Sequence, residues 1–257
     1  KYGDLKTEAL REKVMSENMD IVYLYKNSGN DEIVYSLRSL ANLPHNKVFI
    51  VGDMPKYINP QNILYIKAEQ GLNKYQNTTN ALRLACHDDR LSDDFIVMND
   101  DFFILKKIEN PREELNLHKG TIAKVYERLS AKYPLGSGYL HGMKETETLL
   151  KNLGIKEPLS YELHTPFIFN KYKLLQMFET YADEIAQTKC FHKRSFYGNL
   201  YVKGSKFMKD IKVLALDNFV PTPEQKFISS SDSSYRNLKY ILMQKFSKKS
   251  KYEEHKK

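Results

Sequence analysis

Three consecutive oxygen-bearing side chains, Asn99, Asp100 and Asp101, close the strand-forming run Phe95-Ile96-Val97-Met98 and precede a second apolar run, Phe102-Phe103-Ile104. Two adjacent carboxylates at the end of a buried strand repel each other and resist desolvation unless a cation sits between them. Hard oxygen donors suit Mg²⁺ or Mn²⁺, which keep several waters and bridge to substrate phosphates. The pair therefore predicts a metal–diphosphate site; it equally has the composition of a turn or a helix N-cap without a ligand. Glu162 and His164 stand two residues apart in Ser160-Tyr161-Glu162-Leu163-His164-Thr165-Pro166, and on a strand they share a face. Either takes a proton from an acceptor hydroxyl, and the imidazole also suits a metal. Asp217 follows an apolar stretch and supplies a third carboxylate for the metal, while Arg38 and Arg83 fit phosphate oxygens. Each has a plainer reading: a hydrogen-bonded histidine before Thr-Pro, an Asp-Asn turn, and two surface arginines on their helices.

These side chains need a frame. Asp20 to Tyr25 reads as a strand, Asp31 as the cap of a helix bearing Ile33, Leu37 and Leu40, and Lys47 to Gly52 as a second strand. A third strand at 63–66, a helix at 78–86 and the strand at 95–98 continue the alternation. This is the pattern of a doubly wound, mostly parallel sheet flanked by helices, in which ligands collect at the carboxyl ends of the strands. Beyond Ile104 the spacing predicts helices at 119–132, 144–153 and 171–187, a strand over 160–170 and another at 211–216. Ser229 to Ser234 reads as a flexible polar linker to a last helix at 235–247. The organisation expected is a charged extension (1–18), one large domain (19–228, with a first half to 104 and a second from 105), and a linker, helix and basic tail (229–257). There is no Gly-x-Gly-x-x-Gly and no Gly-Lys-Ser/Thr phosphate loop, which argues against dinucleotide and ATPase sites.

Composition sets outer limits. With 257 residues, 41% of them apolar and 28% charged, the chain has enough apolar mass for a normal core. No run spans a bilayer, no signal-like segment opens the sequence, and Cys86 and Cys190 lack metal-ligand spacing. Reduced thiols in a cytoplasm, bacterial or phage-infected, are expected. The net charge of +8 permits an anionic partner, but most of it lies in seven lysines after residue 238, read as a solvated tail.

Several segments carry a resemblance. Glu32-Ile33-Val34-Tyr35-Ser36-Leu37-Arg38-Ser39 resembles the E-L-R-Y-S-L-R-S segment of the Stealth family, the bacterial hexose-1-phosphate transferases of capsule synthesis and their animal relatives. Leu91-Ser92-Asp93-Asp94-Phe95-Ile96-Val97-Met98-Asn99-Asp100-Asp101-Phe102-Phe103 is similar to its L-S-E-x-F-I-Y-x-N-D-D-F-F core. Val48 to Asp53 with Pro55, His164-Thr165-Pro166 and Lys249-Ser250-Lys251-Tyr252-Glu253 have counterparts there too. Gln76-Asn77-Thr78-Thr79-Asn80 approximates its Phe-Asn-Ser segment. Compact chains of this kind also look like phage-encoded glycosyltransferases. The resemblance implies a GT-A-type nucleotide-diphospho-sugar transferase fold with helical additions in the second half, and a nucleotide-sugar donor, a UDP-sugar foremost. It implies that Asp100, Asp101 and Asp217 hold Mg²⁺ or Mn²⁺. Tyr25, Lys26, Asn80 and Asn99 would meet the donor, Arg38 and Arg83 its phosphates, and Glu162 or His164, with Asp101, the reacting groups.

The acceptor would be a hydroxyl on a glycan, a protein or a modified DNA base. Two other functions compete with sugar transfer. One is transfer of the whole hexose-1-phosphate. The other is non-catalytic nucleic-acid binding through the basic C-terminal tail, which leaves the acidic pair without a role.

Overall fold

The strand-forming runs become neighbours in the computed structural model, which describes residues 18–71, 73–132, 137–213 and 219–254. In the first half the elements are β1 (Asp20–Tyr25), α1 (Glu32–Ser39), β2 (Val48–Gly52), β3 (Leu64–Lys67), α2 (Lys74–Cys86), β4 (Asp94–Met98) and β5 (Phe102–Ile104). Then follow α3 (Pro111–Glu114), β6 (Leu117–His118), α4 (Ile122–Ser130), α5 (Gly138–Asn152), β7 (Phe167–Asn170), α6 (Lys171–Thr180) and α7 (Ala182–Gln187). The last elements are α8 (Lys193–Tyr201), β8 (Lys206–Phe207), β9 (Phe227–Ser229) and α9 (Tyr235–Lys245).

The main sheet has the order β3-β2-β1-β4-β7. Its first four strands are parallel and β7 runs antiparallel to β4. This is the mixed α/β architecture with a mostly parallel sheet that the alternation predicts. Alternate residues of a strand face opposite ways. Val22, Phe49, Val51, Phe95 and Val97 pack with residues of α2, α5, α6 and α8, whereas Ile21, Tyr23, Ile50, Ile96 and Met98 pack with residues of α1 and β5. The chain leaves β1 for β2 and β3 on one side, then returns to place β4 on the other. That reversal opens a crevice at the carboxyl ends of β1 and β4, where open α/β sheets bind ligands.

Local differences from the expected elements have local reasons. Helix α2 begins four residues before Thr78, because the Asn73 side chain accepts hydrogen bonds from the amides of Tyr75 and Gln76. The stretch 160–170 is a strand only over Phe167–Asn170, the residues that find partners on β4. Glu162 and His164 therefore stand on irregular backbone. The helix expected at 171–187 is interrupted at Tyr181, whose φ and ψ of −114° and 33° are non-helical. Of the strand expected at 211–216, residues 214–216 lie outside the described residues, as do Asp217 and residues 1–17 of the extension.

The end of the chain differs most. Ser229, Ser230 and Ser234, read as linker, are fully buried. They join β9, which pairs antiparallel with β5, to the start of α9, where the Ser231 amide donates to Ser234 Oγ at 2.7 Å. Leu238 and Leu242 of α9 are buried in a cluster with Tyr35, Phe103 and Ile228. Each such leucine is worth about 1.5–3 kcal/mol on removal from water. The tail read as solvated is docked as far as Glu253: Tyr252 is buried, its hydroxyl donates to His45 Nε2 at 2.7 Å, and Ile58 and Glu253 form an antiparallel bridge. No helix among the described residues is long and apolar enough to cross a membrane. Cys86 and Cys190 are buried free thiols.

Candidate active site at the carboxyl ends of the central strands

The acidic triplet is a tight turn between β4 and β5. The Asn99 carbonyl accepts a hydrogen bond from the Phe102 amide at 3.2 Å, and the Ser230 amide donates to the Asp101 carbonyl at 3.2 Å. Ser36, in α1, fixes the turn from beneath: its hydroxyl donates to the Phe102 carbonyl at 2.6 Å and takes a hydrogen bond from the Tyr23 hydroxyl at 2.9 Å. The Tyr-Ser-Leu-Arg-Ser helix thus serves the acids as scaffolding.

The two carboxylates face different surroundings. Asp101 accepts from Ser229 Oγ at 3.1 Å and pairs with Lys212 Nζ at 3.3 Å. Asp100 has no basic partner among the described residues. Burial, then the charges of Asp101 and Glu32, push its carboxyl up to about 8 despite opposing backbone amides. Glu32, buried in the first turn of α1, is also raised, by burial first, although Ser230 and Asn30 hydrogen-bond to it. Beside them burial, then Asp100, lifts the Tyr25 phenol to about 12.

A half-buried acid displaced this far from its ordinary range is a place where a cation would be stabilising. Among the described residues no group of three or more His, Cys, Asp or Glu side chains is arranged to hold a metal. Mg²⁺ needs only one or two carboxylates when water and substrate phosphates complete its shell, so the donor set of Asp100 and Asp101 fits Mg²⁺ or Mn²⁺ bound together with a phosphorylated substrate.

Asn99 and Asp101 open onto a cavity of about 290 Å³ that is also lined by Glu162, His164, Lys193 and Arg194. Asp101 and the 162–164 segment, some sixty residues apart in sequence, therefore share one space. The wall is strongly cationic. Arg194 NH1 donates to the carbonyls of Leu163 and Thr165, and its guanidinium lies 5.4 Å from the Phe102 ring centroid. Lys193 donates to Thr78 Oγ1 at 2.8 Å, and burial pushes its ammonium down to about 8. Burial would raise Glu162, but His192, Arg194 and Lys193, with the Ser195 amide, outweigh it and hold this carboxyl below its usual range. The Ser195 amide and hydroxyl donate to Glu162 Oε1 at 3.1 and 3.3 Å. Glu162 is a fixed anion and a weak proton acceptor. His164 Nδ1 lies 2.8 Å from Asp210 Oδ1.

Other expected residues lie elsewhere. Tyr25 borders the same end of β1, and exposed Lys26 lines a smaller cavity of about 60 Å³ that shares Leu24, Lys74 and Thr78 with the larger one. Arg38 is engaged far from the acids, with Nε and NH2 on the two oxygens of Glu253 at 2.8 and 2.7 Å and NH1 on the Phe246 carbonyl. Arg83 stacks 4.8 Å from the Phe178 ring centroid and, with Asn80, lines a separate cleft beside α7. Lys193 and Arg194 belong to a basic cluster visible in the sequence. Lys212 and Asp210 carry no signal there, since only tertiary contact distinguishes them from other surface-type charges.

No family model matches this sequence, and no curated protein is significantly similar to it. Solved structures match in shape, 18 chains in all. They include the galactosyltransferase LgtC in complex with donor and acceptor sugar analogues, at 12% identity and a TM-score of 0.43 over 74% of this chain and 73% of that one. An active-site variant of LgtC gives 13% and 0.42 over 74% and 72%. The glycosyltransferase GlyE of Streptococcus pneumoniae TIGR4 gives 10% and 0.39 over 74% of this chain and 45% of that one.

Proposed function

We propose that the chain is a GT-A-type glycosyltransferase that moves a sugar from a nucleotide-sugar donor, a UDP-sugar foremost, to a hydroxyl acceptor, with Mg²⁺ or Mn²⁺ held by Asp100 and Asp101. The observation that carries this reading is the acidic turn at the topological switch point, with Asp100 half-buried and lacking a basic partner among the described residues, beside a cavity walled by lysine and arginine. Acids alone would suit a bare cation and bases alone a bare anion. The two together suit a metal–diphosphate. When bound, the ion neutralises charge on the departing diphosphate.

In this reading Lys193, Arg194 and Lys212, which line the cavity, would meet phosphate oxygens, and Tyr25 and Lys26, which line the smaller one, would meet base and ribose. Glu162 and His164 face the acceptor. In the transfer the acceptor oxygen loses its proton to a base and bonds to the anomeric carbon, while the bond from that carbon to the diphosphate oxygen breaks. Nucleoside diphosphate leaves.

A second reading draws on the same cationic wall, which equally suits displacement at phosphorus. The acceptor oxygen then bonds to the β-phosphorus, hexose-1-phosphate moves as a unit and nucleoside monophosphate leaves. One assay separates the two. Purified protein is incubated with a panel of nucleotide sugars, Mn²⁺ and hydroxyl acceptors, and the nucleotide product is identified. Nucleoside diphosphate is expected, and Asp100→Ala and Asp101→Ala should each lower kcat by about 100-fold or more. Full transfer by both variants would overturn the metal assignment. A donor present at 100 times its Kd should add about 2.7 kcal/mol of stability, and the absence of any such shift across the panel would count against the whole reading.

A further inference from the structure

We infer that Asp210 is a positioning residue that fixes the tautomer and aim of His164, making this imidazole the group that takes the acceptor's proton. The inference rests on the transfer reading above and adds to it a residue with no motif of its own.

The geometry is a three-member chain. His164 Nδ1 lies 2.8 Å from Asp210 Oδ1, and Asp210 Oδ2 takes a hydrogen bond from Lys119 Nζ at 3.1 Å. Lys119 is only 4% exposed, so its ammonium depends on this partner. Burial would raise the Asp210 carboxyl, but His164 and Lys119 outweigh it and hold the group well below the usual carboxylate range. An ionised carboxylate can only accept, so in neutral His164 the hydrogen is on Nδ1. Nε2 is left with its lone pair, on a residue that lines the cavity with Asn99 and Asp101. No hydrogen bond to Nε2 occurs among the described residues.

The ring is held on a second side by Phe102, edge-on with centroids 6.2 Å apart and planes at 85°. Phe102 directly follows Asp101, so one peptide unit couples the imidazole's position to that of the acidic turn.

A dedicated piece of structure delivers Asp210. Strands β6 and β8 pair in parallel through Leu117↔Lys206 and His118↔Phe207, and the Met208 amide donates to the His118 carbonyl at 2.8 Å. Asp210 leaves one strand of this clip and Lys119 the other. The Lys119 amide donates to the Ser160 carbonyl at 2.9 Å, tying the clip to the segment that carries Glu162 and His164. Glu162 lies in the same cavity but is already committed to Ser195 and surrounded by positive charge. In the step itself the acceptor proton passes to Nε2 as the new oxygen–carbon bond forms and the carbon–diphosphate bond breaks. Asp210 remains ionised and offsets the imidazolium charge, and the proton later leaves to water.

The test is a double-mutant cycle on the full chain, read as kcat and donor KM separately. Asp210→Asn should lower kcat by about 100-fold, the size of a general-base contribution, with donor KM within about twofold. In a His164→Gln background the same change should have no further effect on kcat, because Asp210 acts through the ring. A purely structural role would lower activity in both backgrounds. Should Asp210→Asn not fold because Lys119 is left unpaired, Lys119→Met/Asp210→Asn carries the same test with the pair removed. Arg38→Ala, which weakens the fold far from the cavity, controls for lost stability and should keep the wild-type kcat. Unchanged kcat in Asp210→Asn, or an equal fall in both backgrounds, overturns the inference while leaving sugar transfer intact. A wild-type protein that transfers from no nucleotide sugar overturns both.

Discussion

At the scale of single residues, Asp100 links the site to pH. Its carboxyl is raised from 3.8 to about 8, chiefly by burial, so the folded protein without a cation holds this proton more tightly than the unfolded chain. Stability without metal should therefore fall as pH rises from about 4 towards 8 and level off above it. Divalent binding must expel the same proton. Mn²⁺ affinity should strengthen by up to about tenfold per pH unit below 8 and then plateau, measured by calorimetry in buffers of different ionisation enthalpy. Asp100→Asn removes the titration, so the variant should be at least as stable as wild type at pH 8 in the absence of metal and show no Mn²⁺-dependent shift in Tm. A variant that kept the metal shift would place the ion elsewhere. The acidic triplet was readable in the sequence because adjacent carboxylates at the end of a buried strand are costly without a cation. The division of labour between Glu162 and His164 was not, because it depends on Ser195 and Asp210, which are 33 and 46 residues away from them.

At the scale of elements, helix α1 does more than cover the sheet. One face positions the acidic turn through Ser36, and the next turn clamps the end of the chain through Arg38. The Arg38–Glu253 pair is bidentate, with side chains 14% and 6% exposed. Removing one member of such a pair leaves the other charge desolvated, so Arg38→Ala should cost about 3 kcal/mol in urea unfolding. Donor KM should not change. A large rise in KM without loss of stability would instead support phosphate contact by Arg38. Sequence alone left that contact and a plain surface arginine equally open, because nothing near Arg38 in the chain marks its true partner, which is 215 residues downstream. The parallel strands were easier to read: Ile21 to Tyr23, Val48 to Val51 and Phe95 to Met98 are buried on both faces and so form unbroken apolar runs. The segment 161–166 has the same flavour of residues but pairs with no strand among the described residues, the neighbouring backbone bonds stopping at Ser160, and composition cannot tell a partnered run from an unpartnered one.

At the scale of the molecule, the two halves distinguished by sequence texture are interleaved. The sheet built by residues 20–98 is completed by β7, and β5 is completed by β9. The serine-rich stretch looked like a boundary because serines are common in linkers, yet here the hydroxyls of Ser229 and Ser230 donate to Asp101 and to buried Glu32. Truncation after residue 226 should thus remove β9, the buried face of α9 and the clamp together. The shortened chain should show no cooperative urea transition by circular dichroism, whereas a separable tail would leave the transition in place.

The pairing of β9 with β5 also sets an order of events during synthesis. A ribosome adding about 5–20 residues per second finishes the acids at 100 and 101 well before it supplies Ser229, Ser230 and Glu253. Until those residues leave the exit tunnel, the nascent chain carries two adjacent acids on a turn held from the side of Ser36 alone, without the bonds from Ser229 and Ser230. Competence to bind the donor should then arrive late and in one step, so that ribosome-bound chains arrested before residue 228 retain no nucleotide sugar while released full-length chains do.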